Sequence, residues 1–152
     1  MVALEQKFEA TWRGLRVQGV VDRVDRADDG LQLIDYKTRA SPPAGAKDGS
    51  GRTRLDVQLP LYLEAAAPTL FPAEPVADAR YYSLSAARDL RRPRSDDAAL
   101  DELALRVRRH LEQGSYPVDP DWEHRACATC DFDALCRRGP RLERKRQARG
   151  EA

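Results

Sequence analysis

The sequence predicts an α/β fold, and the order of its patterned segments carries this prediction. Two alternating segments joined by a turn signal come first, a segment with helical spacing follows, and a third extended segment and a long amphipathic helix complete the order. The chain has 152 residues, of which 41% are hydrophobic and 34% are charged. This is enough for one domain with a modest core and a highly charged surface.

The first two predicted elements form a β-hairpin. One set of alternate positions is Leu15, Val17, Gly19 and Val21, and another, in the second segment, is Leu31, Leu33, Asp35 and Lys37. The intervening sequence Ala-Asp-Asp-Gly contains Asp-Gly, which is a strong signal for a tight hairpin turn. We therefore expect Asp29 and Gly30 to form a two-residue turn.

A loop and a helix follow the hairpin. Residues 39–53 are rich in Gly, Pro, Ser and Ala and have no periodicity, which predicts an exposed, mobile loop. Residues 55–67 carry apolar side chains at helical spacing. Pro60 is compatible with this helix if the helix begins shortly before it, because proline is tolerated in a first turn.

A third strand and a second helix complete the predicted core. Ala79 to Leu84 has the composition of a strand, and residues 96–113 show the clearest amphipathic pattern in the chain. Ser95 or Asp96 can cap the start of this helix, and Gly114 can end it.

Composition also limits the function. Twenty-six Lys and Arg face twenty-five Asp and Glu, so the formal net charge is +1. Any contact with DNA would therefore come from local arginine clusters or from a larger assembly. No apolar run reaches the length of a membrane span, and the N-terminus lacks the apolar core of a signal peptide. We expect a cytoplasmic protein without a membrane partner.

Two acids and a lysine form the first candidate site. Asp35 and Lys37 are two residues apart on one strand, so they share a face. The predicted turn pairs Asp22 with Lys37 and sets Asp22 diagonal to Asp35, while Asp25 lies on the other face. A turn one residue longer or shorter would reverse the choice between Asp22 and Asp25.

This combination suits phosphodiester cleavage. Two carboxylates match the preference of Mg²⁺ for oxygen ligands, and the metal would polarise the phosphoryl group and help to form hydroxide. The lysine would stabilise negative charge in the transition state or orient the attacking water. The alternative is an ion pair between Asp22 and Lys37 at the surface. The apolar sequence around both acids weighs against it, because a buried carboxylate is costly unless it is paired or metal-bound.

These segments resemble the PD-(D/E)XK nuclease superfamily in its RecB-like branch. The resemblance is carried by residues 19–25, Gly-Val-Val-Asp-Arg-Val-Asp, and residues 33–38, Leu-Ile-Asp-Tyr-Lys-Thr. It implies a restriction-endonuclease-like α/β core, with a mixed β-sheet flanked by helices. It further implies a metal site for Mg²⁺ (or Mn²⁺) and a catalytic lysine. The implied metal ligands are Asp22, Asp35 and the Tyr36 backbone carbonyl, and the catalytic lysine is Lys37.

The predicted first helix extends this resemblance. Gln58 and Tyr62 match the Gln-x-x-x-Tyr motif of the family and, being four residues apart, lie on one helix face. The resemblance implies that both support catalysis or DNA contact. Without it, Tyr62 would equally well fill the core and Gln58 would face solvent.

All three cysteines of the chain lie close together, as Cys127, Cys130 and Cys136. The spacing C-x2-C-x5-C suits an iron–sulfur cluster or zinc. Three reduced structural thiols are one alternative. A zinc site completed by His124 is another.

The region from Tyr116 to Arg137 resembles the C-terminal end of AddB-type nuclease domains. There, three such cysteines and a fourth far upstream hold a 4Fe–4S cluster. This chain has neither an upstream cysteine nor the upstream helix of that family. We therefore expect a C-terminal fragment of a larger parent, with helicase domains in the same parent chain and a second helicase–nuclease subunit as partners. The cluster would then belong to the full-length parent.

We accordingly expect a nuclease core over residues 1–114, a cysteine-rich segment over 115–137 and a basic, disordered tail over 138–152. The resemblance implies a Mg²⁺-dependent deoxyribonuclease, with exonuclease action expected, in a helicase–nuclease that repairs double-strand breaks. Two alternatives stay open. One is a catalytically incomplete nuclease fold that binds DNA or a partner subunit, and the other is a zinc-stabilised interaction module.

Overall fold

The computed structural model describes residues 1–43, 45–47, 54–90, 94–116 and 144. The chain divides into two compact units, Met1–Gln113 and Gly114–Ala152. The predicted cysteine ligands, with His124, lie outside the described residues. Within the described part of the chain, no helix is long and apolar enough to cross a membrane.

A mixed five-stranded sheet forms the centre of the first unit. Its strands are β1 (Ala3–Trp12), β2 (Leu15–Ala27), β3 (Gly30–Lys37), β6 (Val76–Ser83) and β7 (Arg88–Leu90), and a separate pair consists of β4 (Ala46–Lys47) and β5 (Arg54–Leu55). The sheet has the order β1-β2-β3-β6-β7, in which β6 runs parallel to β3 and the other neighbouring strands are antiparallel. This confirms the predicted α/β class with a mixed sheet flanked by helices.

The predicted hairpin of β2 and β3 is present, but its turn lies one residue earlier than predicted. Ala27 pairs with Gly30, so the turn residues are Asp28 and Asp29. Gly30 instead begins β3 with φ of 135°, and a Cβ there would lie 2.6 Å from the Pro75 carbonyl oxygen. The chain entering β6 thus approaches too closely for a side chain, and this explains why the glycine lies in the strand.

Strand β1 was not predicted, although it pairs with β2 over almost its whole length. Leu4 pairs with Arg23 and Gln6 with Val21, and the pairing omits the position between them. Glu5 has φ of 47° there. Val21 and Val24 are three residues apart, yet both are fully buried in the same core cluster. The regular alternation of β2 is therefore interrupted at Asp22.

The first predicted helix is present as a continuous helical segment that begins three residues later than predicted. It consists of α1 (Gln58–Leu61), a π-helical segment (Tyr62–Ala66) and α2 (Ala67–Leu70). Pro60 lies in the first turn, where no helical hydrogen bond is lost. In the π segment the Ala67 N–H bonds to the Tyr62 carbonyl, five residues back.

The helical segment is anchored to the hairpin between β1 and β2. Glu64 accepts a 2.8 Å hydrogen bond from Trp12 Nε1 and forms a 2.9 Å ion pair with Arg13. Arg13 also binds Asp97 and Asp101 at the start of the last helix, at 3.0 and 2.6 Å. One arginine therefore joins three elements of the first unit.

Helix α3 (Asp97–Gln113) agrees with its predicted extent. Asp96 accepts a 2.9 Å hydrogen bond from the Ala99 N–H, so it is the capping residue. On the apolar face predicted for this helix, the Leu100 side chain is fully buried, whereas Val107 and Leu111 are exposed. Strand β4 lies within the region predicted as a loop and pairs with β5, which follows that region and ends at the first residue of the predicted helix 55–67. Residues 44 and 48–53 lie outside the described residues.

Candidate active site

Asp35 is the most enclosed of the predicted site residues on β3, with 3% of its surface exposed. The Lys37 ammonium lies 2.5 Å from its Oδ2 atom. Burial raises the pKa of Asp35 above its ordinary value, the Lys37 charge opposes this, and the charge of Asp22 raises the pKa further. The acid and the lysine are thus an ion pair in which desolvation outweighs attraction.

Asp22 lies beside this pair, at the interruption of β2. Its Oδ2 atom accepts a 2.8 Å hydrogen bond from the Tyr36 N–H. The predicted register was wrong by two residues, because Arg23 pairs with Ile34 and the register therefore leads to Asp35 rather than Lys37 as the residue opposite Asp22. An even shift preserves the face, so Asp22 keeps the position expected of the second acid.

Asp25 belongs to a different environment. Arg23 binds it through Nε at 2.9 Å and through a second nitrogen at 2.7 Å, and the Met1 amino group lies 3.4 Å away. Arg23 holds the pKa of Asp25 below its ordinary value. Asp25 pairs with Gln32, on the face opposite to that of Val24 and Leu33, as the sequence predicts.

Gln58 joins the acid and the lysine. Its Nε2 atom donates to Asp35 Oδ1 at 2.5 Å, and its Oε1 atom accepts from Lys37 Nζ at 3.2 Å. The remaining amide hydrogen points to the Tyr62 hydroxyl at 3.0 Å. A single amide therefore contacts both charged groups.

Tyr62 closes the site from the helix side. Its hydroxyl donates to the Val20 carbonyl at 2.8 Å and lies 3.3 Å from Asp35 Oδ1. Burial raises the pKa of Tyr62 well above its ordinary value, so the hydroxyl stays protonated at neutral pH. The helix face predicted from the spacing of Gln58 and Tyr62 does point to Asp35.

Two further residues contact this group, Asp56 and Tyr81, and neither was predicted from the sequence. Asp56 Oδ1 accepts hydrogen bonds from the Tyr81 hydroxyl at 2.8 Å and from the Gln58 N–H at 3.1 Å. The Tyr81 ring lies 5.2 Å from Lys37 Nζ. Asp56 had a local signal, because an Asp side chain often accepts a hydrogen bond from the backbone N–H two residues on, whereas Tyr81 had none, because its position depends on the pairing of β3 with β6.

The donor atoms fit a Mg²⁺ ion held in part by water. The described residues contain no group of three or more His, Cys, Asp or Glu side chains that could hold a metal. Asp22, Asp35 and the Tyr36 carbonyl offer oxygen atoms, and Mg²⁺ is often bound by one or two carboxylates and several waters. The buried Asp35 Oδ2 atom accepts no hydrogen bond of regular geometry from the described residues, and the cation that it faces there is the Lys37 ammonium. Such an oxygen is suited to a cation.

A comparison with protein families agrees with this geometry. The model of the PD-(D/E)XK nuclease superfamily matches residues 1–137. The matched range includes the five-stranded sheet, both helical segments and all three cysteines. Searches of curated proteins and of solved structures found no match.

Proposed function

Because the chain belongs to the PD-(D/E)XK nuclease superfamily, we propose that it is a nuclease domain that hydrolyses DNA phosphodiester bonds with the help of a divalent metal ion. The observation that carries the proposal is the contact of one amide, Gln58, with both Asp35 and Lys37, while Asp22 lies beside them. Each element that supplies a site residue belongs to the first compact unit.

Asp22, Asp35 and the Tyr36 carbonyl would hold the metal ion. When bound, the ion would polarise a phosphoryl oxygen and lower the pKa of a water molecule. Lys37, kept in place by Asp35 and Gln58, would donate to a phosphate oxygen as negative charge develops on it. The protonated Tyr62 hydroxyl would fix the orientation of Gln58 and Asp35 throughout the reaction.

The metal and the cleavage are tested together with linear duplex DNA in the presence of Mg²⁺ or Mn²⁺. We expect Asp35→Ala to abolish cleavage and Lys37→Met to lower its rate by about 10²–10³-fold, the usual cost of losing one donor to a developing oxyanion. Asp25→Asn is the matched control, because it removes an acid of the same hairpin that binds Arg23, and its rate should stay within about twofold of wild type. Cleavage at the wild-type rate by Asp35→Ala would exclude this active site.

The finer assignment of the chain to a RecB-like, AddB-type repair nuclease rests on the resemblance of its motifs and on the cysteine spacing. We propose exonuclease action, helicase domains and a second helicase–nuclease subunit as partners, and a cytoplasmic location. Release of mononucleotides from linear DNA but no nicking of closed circles would support exonuclease action. Nicking of the circles would exclude it.

For Cys127, Cys130 and Cys136 we propose a role as three of the four ligands of a 4Fe–4S cluster in the full-length parent. A cluster of this kind is held by four thiolates, and this chain has three cysteines. The chain by itself should therefore lack iron, sulfide and the brown colour of a cluster after anaerobic purification. About four irons and four sulfides per chain would show that the fourth ligand lies within these 152 residues, and one zinc would favour a site with His124.

A module that binds DNA without cutting it is the second candidate. It is favoured by the observation that the described residues supply two carboxylates but no third acidic or histidine ligand. Binding of linear DNA with unchanged substrate after long incubation with Mn²⁺ would support this candidate against the nuclease.

A further inference from the structure

The carboxyl group of Asp56 is buried beside the candidate active site, and among the described residues it forms no hydrogen bond or ion pair with Asp35 or Lys37. It is 4% exposed and follows β5 directly. A buried carboxyl group that lacks good partners is costly. Here one of its oxygens, Oδ1, accepts two hydrogen bonds, from the Tyr81 hydroxyl and from the Gln58 N–H.

The backbone of Asp56 is fixed independently of its side chain. Its N–H donates to Ser95 Oγ at 2.7 Å, and the same hydroxyl donates to the Asp56 carbonyl at 2.9 Å. Ser95 lies two residues before α3. The carboxyl group is therefore held on a rigid support, which is what a residue that positions others requires.

The two residues that Asp56 binds are also two of the groups around Lys37. Gln58 accepts a hydrogen bond from Lys37 Nζ, and the face of the Tyr81 ring lies 5.2 Å from the same atom. The Tyr81 hydroxyl donates to a carboxyl oxygen, which increases the electron density of the ring and so its attraction for a cation. A single oxygen atom of Asp56 is therefore linked to the Lys37 ammonium through two residues, Gln58 and Tyr81.

We propose that Asp56 is a positioning residue for Lys37, acting through Gln58 and Tyr81, and that the hydrogen-bond acceptor Oδ1 is the atom responsible. This inference rests on the proposed nuclease function. It assigns a task to an acid outside the metal-binding set, and it separates the alignment of the lysine from the binding of the metal.

The variants are chosen to isolate this atom. Asp56→Ala removes the acceptor, Asp56→Asn keeps an oxygen at the same place, and Tyr81→Phe removes one of the two hydrogen bonds. Trp12→Phe is the matched control, because it also removes a side-chain hydrogen bond to the helical segment, the one between Trp12 and Glu64, at a place remote from Lys37 in the sheet.

In DNA cleavage we expect Asp56→Ala to lower kcat by about 10–100-fold with KM for DNA within about twofold, since loss of a supporting contact commonly has this size. Asp56→Asn should stay within about threefold of wild type, and Tyr81→Phe should fall between the two. Equal losses in Asp56→Asn and Asp56→Ala would overturn the assignment of Oδ1 as the acting atom. A loss of kcat in Trp12→Phe as large as in Asp56→Ala would reduce the effect to general destabilisation and overturn the proposal.

A mutant cycle separates positioning from a structural role. In a background that carries both Gln58→Ala and Tyr81→Phe, Asp56→Ala should lower kcat by no more than about threefold, because both groups through which it would act are altered. A full 10–100-fold further loss would show that Asp56 acts independently of both residues, contrary to the proposal.

The last measurement does not depend on catalysis. Gln58 donates one side-chain amide hydrogen to the buried Asp35, so its amide hydrogens should exchange slowly with solvent in a nitrogen-15 NMR spectrum, where Gln58→Glu identifies them by their loss. We expect exchange at least about tenfold faster in Asp56→Ala and an unchanged rate in Asp56→Asn and Trp12→Phe. If the wild-type chain fails to cut DNA, the nuclease function is wrong, and this rate still decides the inference. Unchanged exchange in a folded Asp56→Ala protein would overturn it.

Discussion

Burial and the neighbouring Lys37 charge act on the Asp35 carboxyl group in opposite directions. Its carboxyl group is almost completely enclosed, and desolvation raises its pKa despite the adjacent Lys37 charge. In the absence of metal, the ionised form is therefore a source of instability for the fold. A bound cation would relieve this cost, so a residue that weakens the free protein is the one best prepared to bind metal.

The stability of the metal-free protein should depend on pH because of Asp35. Its pKa is 3.8 when unfolded and higher when folded. Below pH 3.8 the group is protonated in both states and contributes nothing to the pH dependence. As the pH rises through the folded pKa, wild type loses stability relative to Asp35→Asn, and the difference then becomes constant.

We therefore expect the unfolding temperature of Asp35→Asn minus that of wild type to increase with pH from about 4 upward, measured by circular dichroism in metal-free buffer. Added Mg²⁺ should raise the unfolding temperature of wild type and leave that of Asp35→Asn unchanged. A difference that decreases with rising pH would mean that the attraction of Lys37 exceeds the desolvation of Asp35.

The residues of the candidate site differ in how far the sequence could predict them. Asp35 and Lys37 were found because alternation along one strand is a local property, and Gln58 and Tyr62 because helical spacing is local too. Asp22 was found despite a turn assigned one residue too late, since the error moved the register by an even number. Tyr81 depends on the parallel pairing of β3 and β6, which no local pattern encodes.

At the scale of elements, the strands were predicted in proportion to the strength of their alternation. Apolar side chains recur at every second position in Leu15 and Val17 and again in Leu31 and Leu33, and both segments are strands. Strand β1 alternates too, but Phe8 and Trp12 are the only large apolar side chains of its inner face from Gln6 onward. Its stability comes from pairing along β2, which is a tertiary effect that overrides weak local preference.

Gly30 provides a test of how closely the parallel strand approaches the hairpin. A Cβ at this position would meet the Pro75 carbonyl oxygen at 2.6 Å, and φ is 135°. We expect Gly30→Ala to lower the free energy of unfolding by about 2–4 kcal/mol, through a steric clash and backbone strain together, as measured by urea denaturation.

Gly114→Ala is the control for this substitution. Gly114 also has positive φ, at 59°, but its Cβ would meet no atom within 4 Å. The loss should therefore be about 1 kcal/mol, the cost of the backbone conformation alone. If both variants lost the same free energy of unfolding, the close approach of Pro75 to Gly30 would not contribute to the loss in Gly30→Ala.

At the scale of the whole molecule, the candidate catalytic residues are concentrated in one of the two units. The acids, the lysine and the helix that carries Gln58 all belong to Met1–Gln113, which has its own core clusters. The family match continues to residue 137 and so includes part of the second unit. The formal net charge of +1 implies that the affinity for DNA comes from a local surface and not from overall attraction.

This division predicts the result of a truncation after Gly114. We expect the shortened chain to fold cooperatively and to gain thermal stability from Mg²⁺ as the full chain does, because the core and the proposed ligands are retained. Thermal unfolding with and without Mg²⁺ measures both properties. A truncated chain that is unfolded, or that ignores Mg²⁺ while the full chain responds, would show that residues 115–152 are part of the working domain.

The π-helical turn in the segment 58–70 has a consequence for how this protein tolerates change. The helix has two obligations whose directions are set by different strands: Gln58 points to Asp35, and Glu64 points to Trp12 and Arg13. A π turn holds about one residue more than an α turn, so a regular α-helix with the same number of residues would rotate Glu64 relative to Gln58 by up to about 100°. A substitution that replaced the π turn by a regular α-helix would therefore break either the contact with Asp35 or the contacts with Trp12 and Arg13.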